Sequence, residues 1–268
     1  MTPSDATRWL REYAAAWERG DVALHLYTPD ATYRSHPFRE PHVGHGGIRA
    51  YGAGATSTQS DVSVRVGDAL VDGNAVVAEW WTVMVDEGSA VTLPGVLLLE
   101  LDGERCVSLR EYWAIADGRH EPHAEWGRFE RGDEGRRHAE AWVEEYGRAW
   151  RAGDADAAAA TYSPDVVFRS HPFREATRGR AAVRSYTERA FASETDRTVW
   201  LGRPFAAGAS AAVEYWATFT EDGTPKTLAG CVLMSFDRSG AVRASRDYWH
   251  EADGTYSPPA FADRLATG

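Results

Sequence analysis

The sequence predicts an α+β fold built twice in tandem, each copy placing three helices on a curved antiparallel sheet. Three observations predict it. The seven residues RSHPFRE stand at positions 34–40 and again at 169–175, an offset of 135. The same offset pairs Gly44 with Gly179, Tyr51 with Tyr186, Leu93 with Leu228, and Glu79-Trp80-Trp81 with Glu214-Tyr215-Trp216. Within each copy, segments of helical period come first and long alternating segments follow. A repeat of roughly 130 residues is too long for a solenoid and large enough to bury a core of its own. Two domains are therefore expected, 1–132 and 133–268, with the charged run FERGDEGRRH as their joint.

Each copy opens on a helix. Trp9, Tyr13 and Trp17, and likewise Trp142, Tyr146 and Trp150, recur every fourth residue and lay an aromatic stripe on one helix face. RGDVALHLY and AGDADAAAATY then read as a turn and a second short helix, with Asp21 or Asp154 as its cap. A short strand leads into RSHPFRE, where Pro37 and Pro172 stop regular pairing and bend the chain. After Gly44 or Gly179 a third helix carries Ile48 and Tyr51, or Val183 and Tyr186. The rest of each copy reads as strands, VSVRVGDALVDG, NAVVAEWWTVMVDEG, AVTLPGVLLLELDG and CVSLREYWAIADG in the first, joined at VDGN, DEG and LDG hairpin signals.

Composition narrows the setting. A formal charge of −11 argues against nucleic acid as a partner, and no apolar run is long enough to span a membrane. The start, MTPSDATRWLREY, lacks a basic-then-apolar export pattern. Cys106 and Cys231 fall opposite Val242 and Val96 of the other copy, so neither belongs to a shared thiol site, and a reduced, cytoplasmic setting is expected. His36, His42 and His45 meet His171, Thr177 and Arg180, with no carboxylate at zinc-site spacing, so no metal is expected.

The Tyr-x-x-x-Trp-x-x-Gly-Asp opening, the Pro-x-x-Gly before the third helix and the closing Arg-Glu-Tyr-Trp resemble the nuclear-transport-factor-2-like superfamily, home of the ketosteroid isomerases and the SnoaL-like polyketide cyclases. The resemblance covers both copies. It implies a cone whose sheet curls around the first helix and whose open end admits a small apolar molecule, with no cofactor. In the isomerase register Trp80, Met84, Leu97, Glu111 and Trp113 face inward, as do Tyr215, Phe219, Val232, Asp247 and Trp249, while Trp17 and Trp150 join them from the helix. Glu79, Trp81, Arg110, Glu214, Trp216 and Arg246 face outward. Family members commonly dimerise through that outer face, so the two copies are expected to form a pseudo-dimer within one monomeric chain.

Several groups could carry chemistry. The resemblance puts Tyr13 and Tyr146 at the oxyanion-stabilising tyrosine of the isomerases, although each also fits a packed aromatic stripe. The isomerase base falls on Ser35 and Ser170, and its second acid on Leu97 and Val232, so both carboxyls of that enzyme are missing. His36 and His171, one residue on, are the imidazoles that could replace the base, or else they anchor a bend. The cyclase spacing Trp-x-x-x-Asp survives at Trp113–Asp117 and Trp249–Asp253, within an ADG turn signature. Glu111 and Asp247 remain, in mid-strand between apolar neighbours, where burial would raise a carboxyl into the range of a general acid or base. The expected function is a small hydrophobic-molecule-binding protein acting as a cofactor-free acid/base enzyme of isomerase, cyclase, dehydratase or epoxide-hydrolase type. Non-catalytic sequestration of such a molecule, or a scaffold with a filled cavity, are the alternatives.

Overall fold

The computed structural model describes residues 2–258 and 265–267. Contacts divide the chain between Phe129 and Glu130. Glu130 is tied to the second unit by its amide, which donates to Ser210 Oγ at 2.7 Å, and by its carbonyl, which accepts from the Ala209 amide.

In the first unit α1 (Pro3–Glu18) starts at a capping box in which Thr2 and Asp5 satisfy each other's amides. Its stripe is packed, Trp9 stacking on Tyr13 with ring centres 5.5 Å apart and Tyr13 meeting Trp17 edge-on. There follow β1 (Tyr27–Arg34), β2 (His42–Val43), α2 (Gly44–Thr56), β3 (Gln59–Val66) and β4 (Leu70–Asp72). The sheet is completed by β5 (Ala75–Asp86), β6 (Ser89–Asp102), β7 (Arg105–Trp113) and β8 (Ala116–Asp117). The strand order is β2-β1-β7-β6-β5-β3, with β4 on β5 and β8 on β6.

The second unit repeats this path with α3 (Gly135–Ala152), α4 (Ala155–Ala160), β9 (Tyr162–Arg169), β10 (Thr177–Arg178) and α5 (Arg180–Ser193). Next come β11 (Glu194–Gly202), β12 (Phe205–Ala207), β13 (Ser210–Glu221), β14 (Thr224–Phe236), β15 (Val242–Asp253) and β16 (Leu265–Thr267). The order is β10-β9-β15-β14-β13-β11-β16, with β12 on β13. Both units are thus α+β with helices against a curved sheet, and no helix among the described residues is long and apolar enough to cross a membrane.

Three local expectations change. The second short helix forms only in the second unit, where Asp154 accepts from the Ala157 amide at 2.9 Å. In the first, Asp21 instead accepts from its neighbour Val22, Ala23 turns left-handed, and one 3-10 turn (Leu24–Leu26) remains. The expected strand VSVRVGDALVDG is interrupted, because Gly67 and Asp68 leave the ladder to bond Glu79 O and Gly127 O. The sheets are not wholly antiparallel, since β1 runs parallel to β7 and β9 to β15. Within their own units the outward aromatics also form hydrogen bonds. Trp81 donates its indole N–H to His120 O at 2.9 Å and lies edge-on to Trp126, while Trp216 donates to Tyr256 O at 2.9 Å.

Candidate functional site

Each unit holds a cavity between its first helix and the sheet. The first measures about 120 Å³ and is lined by Tyr13 and Trp17 of α1, Tyr33 of β1, Tyr51 of α2, Trp80 of β5, Glu111 and Trp113 of β7, and neighbours. The second measures about 300 Å³, with Tyr146 and Trp150 of α3, Phe168 of β9, Tyr215 and Phe219 of β13, Val232 of β14, and Asp247 and Trp249 of β15 in its wall.

Strand alternation explains who faces in. Glu111 and Trp113 are two apart on β7, and Leu97 stands directly across from Glu111 on β6. Glu111 is only 4% exposed. Its Oε1 accepts from Tyr13 at 3.0 Å and from Tyr33 at 2.7 Å. Burial drives its pKa up from 4.5 to about 7, against the opposing pull of those two phenols. Burial and the nearby carboxyl push both phenols well above the ordinary tyrosine range, so they remain donors at neutral pH.

Asp247 is half-buried and also rises to about 7 through burial, opposed by bonds from Tyr215 and the Tyr248 backbone. The phenol that reaches it is Tyr215, donating to Oδ1 at 2.9 Å. Tyr146, the phenol expected there, lines the cavity, but its ring packs against Tyr162 and Trp150. An aspartate is one methylene shorter than the glutamate it replaces, and its hydroxyl partner has moved to a different wall.

The indoles are also anchored. Trp113 and Trp249 donate to the carbonyls of Ser35 and Ser170 at 2.7 and 2.8 Å, which ties the RSHPFRE bend to the last strand. Trp17 and Trp150 donate to the side chains of Gln59 and Glu194 at 2.9 and 3.1 Å. Gly95 and Gly230 give the cavity aromatics room. A methyl placed at Gly95 would stand 2.5 Å from the Trp80 ring, and one at Gly230 would overlap the Tyr215 hydroxyl.

His36 and His171 lie outside both cavity linings. Each ring sits edge-on to the adjacent tryptophan, and each Nδ1 accepts the amide two residues on, Phe38 or Phe173, at 3.3 Å. Burial, with Arg39 adding to it, lowers His36 to about 4. That is the environment of a bend anchor. Met84 and Leu97 are buried but do not line the first cavity, which ends short of them, whereas their counterparts Phe219 and Val232 do line the second. Asp117 and Asp253 are exposed, each the last residue of its strand, β8 and β15. Tyr33 is the residue the sequence reading passed over. It lies near the end of β1, two residues before the expected base position Ser35, and its side chain faces the cavity.

Several solved structures are similar to part of this chain. An epoxide hydrolase/cyclase-like enzyme, SalBIII, described in pyran ring formation in the polyether salinomycin, is 22% identical and covers 45% of this chain and 98% of its own, with a TM-score of 0.41. A ketosteroid isomerase-like protein of Catenulispora acidiphila, solved with trimethylamine, is 24% identical over 39% of this chain and 83% of its own, at 0.36. Rv0760c of Mycobacterium tuberculosis is 16% identical over 47% and 100%, at 0.40. No curated protein matches the chain in sequence. The SnoaL-like domain model matches residues 10–109 and again 143–244. With both copies matched, the chain belongs to the SnoaL-like family, as a tandem duplication.

Proposed function

We propose that the chain binds a small, mainly apolar molecule in a cone cavity and moves a proton on it, without a cofactor, as an isomerase, cyclase, dehydratase or epoxide hydrolase does. The observation that carries this reading is a carboxyl with a pKa of about 7 at the inner end of each cavity, bonded to a phenol. A carboxyl poised there is present in both protonation states near neutral pH, as general acid–base catalysis requires. The phenols hold its orientation and, staying protonated, offer hydrogen bonds to an oxygen on which negative charge develops. Aromatic walls exclude water and strengthen both interactions. Glu111 and Asp247 are the proton carriers in this reading. Tyr13 and Tyr33 in the first unit, and Tyr215 in the second, orient them. Trp17, Trp80, Trp113, Trp150, Phe219, Val232 and Trp249 shape the space around the ligand.

Deuterium uptake tests this without a known substrate. A panel of small cyclic ketones in deuterated buffer reports abstraction of the proton beside the carbonyl. Wild-type protein should speed exchange of at least one panel member, and Glu111→Gln with Asp247→Asn should cut that rate roughly a hundredfold. Full exchange in the folded double variant would remove the mechanism.

A further inference from the structure

The two copies differ in cavity size, and of five exchanges four put the smaller side chain in the second copy, Gly52 to Thr187 being the one that goes the other way. Val22 projects into the first cavity and fills the space beside Gly52, where any added methyl would overlap it. Its counterpart in the second copy is Ala155, at the start of α4, and Gly52 has become Thr187. Trp80 has become the smaller Tyr215, Tyr33 has become Phe168, and Glu111 has become Asp247. The outcome is about 120 Å³ against about 300 Å³. Pockets that enclose a ring-sized organic ligand start at roughly 300 Å³, so only the second reaches that range.

We propose that the second unit alone carries the working ligand site, for a neutral ring compound bearing a carbonyl or hydroxyl oxygen, and that the first unit's cavity is a shrunken remnant of the same site. This rests on the reading that Asp247 faces a bound molecule, and it narrows that reading: Asp247 is the working carboxyl, Glu111 its buried counterpart without a ligand. Exchanging Tyr33 for Phe168 removes the β9 hydroxyl that meets the carboxyl in the first unit, while Tyr215 puts one on β13 beside Asp247. The Asp247–Tyr215 pair offers a polar spot for a ligand oxygen, the phenols of Tyr146, Tyr162 and Tyr186 stand elsewhere in the wall, and apolar rings such as Trp142, Phe168, Phe191 and Phe219 line the remainder. Gly230 keeps that spot open by leaving room for the Tyr215 hydroxyl. In the first cavity both phenols bear on one oxygen of a carboxyl only 4% exposed, which leaves a ligand little access.

The rim explains why the ligand is neutral. Glu194, Glu221 and Glu251 line the second cavity, yet each is matched by a cation. Lys226, the single lysine of the chain, bonds Glu221 and Glu251 at 2.7 Å each, and Arg197 bonds Glu194 at 3.0 Å. Arg174 lies over the Trp249 ring, 6.0 Å from its centre.

Prodan, a neutral naphthalene ketone whose emission shifts in apolar surroundings, tests the proposal. One dye should bind per chain. Ala190→Trp, on a half-buried helix position of the second cavity, should weaken binding at least tenfold, while the matching Ala55→Trp in the first should leave it unchanged. Leu228→Trp and Leu93→Trp repeat the comparison from the sheet side, in case either helix variant fails to fold. Two dyes per chain, or equal losses from matched substitutions, would overturn the proposal. Because binding is read without turnover, a chain that binds one dye but exchanges no proton would sink only the catalytic reading.

Discussion

Glu111→Gln should stabilise the first unit at alkaline pH and do nothing for it in acid. The side chain is 4% exposed, and its pKa rises on folding from 4.5 to about 7 because burial penalises the charged form. The folded state therefore holds the proton more tightly than the unfolded state. Below about pH 4.5 both states are protonated and there is no penalty. Between 4.5 and 7 the unfolded chain releases its proton first, so stability falls as pH rises, and above about 7 the full penalty is present. At 1.36 kcal/mol per tenfold change in proton affinity, the penalty is about 3 kcal/mol. Glutamine keeps an oxygen that can accept from Tyr13 and Tyr33 and carries no charge. Urea unfolding of wild type and variant at pH 4.5 and pH 8.5 reads the difference. The variant should match wild type at the lower pH and exceed it by about 3 kcal/mol at the higher. A difference that does not change with pH would show that Glu111 carries no buried charge, and the reasoning would fail.

Other outcomes follow from the same geometry. Tyr33→Phe removes one of two donors to Glu111, so the carboxyl should titrate still higher and the unit lose about 1–3 kcal/mol at pH 8, as read by unfolding. Tyr215→Phe should raise Asp247 in the same way and slow deuterium exchange, whereas Tyr146→Phe should leave the Asp247 titration in place. Gly95→Ala would put a methyl 2.5 Å from the Trp80 ring and should cost about 1–3 kcal/mol, seen as a lower Tm. Gly230→Ala should displace the Tyr215 hydroxyl and release Asp247 from its bond, visible as a shifted Asp247 titration even where the fold survives.

The duplication, the α+β class and the inward carboxyls were legible because they are written in identity and period. RSHPFRE sets the offset, and alternation along REYW and RDYW sends Glu111 and Asp247 inward with Trp113 and Trp249. What stayed hidden depends on contacts across the fold. The phenol meeting Asp247 comes from β13 rather than the first helix, since shortening Glu to Asp moves the oxygen and exchanging Trp80 for Tyr215 supplies a hydroxyl on another strand. Tyr33 was within reach of the same alternation rule, applied two residues back from Ser35. The indole hydrogen bonds of Trp81 and Trp216 to trailing segments of their own units follow no local period at all. His36 and His171 show the reverse case, a residue type rich in chemical promise held by a backbone amide at a prolyl bend.

The most direct measurement is a carbon-13 NMR titration of the side-chain carboxyls in protein labelled at glutamate and aspartate. Two resonances should titrate near pH 7, one vanishing in Glu111→Gln and the other in Asp247→Asn. If both carboxyls instead titrate with the exposed acids near pH 4, they are not desolvated, and the proton-transfer site does not exist.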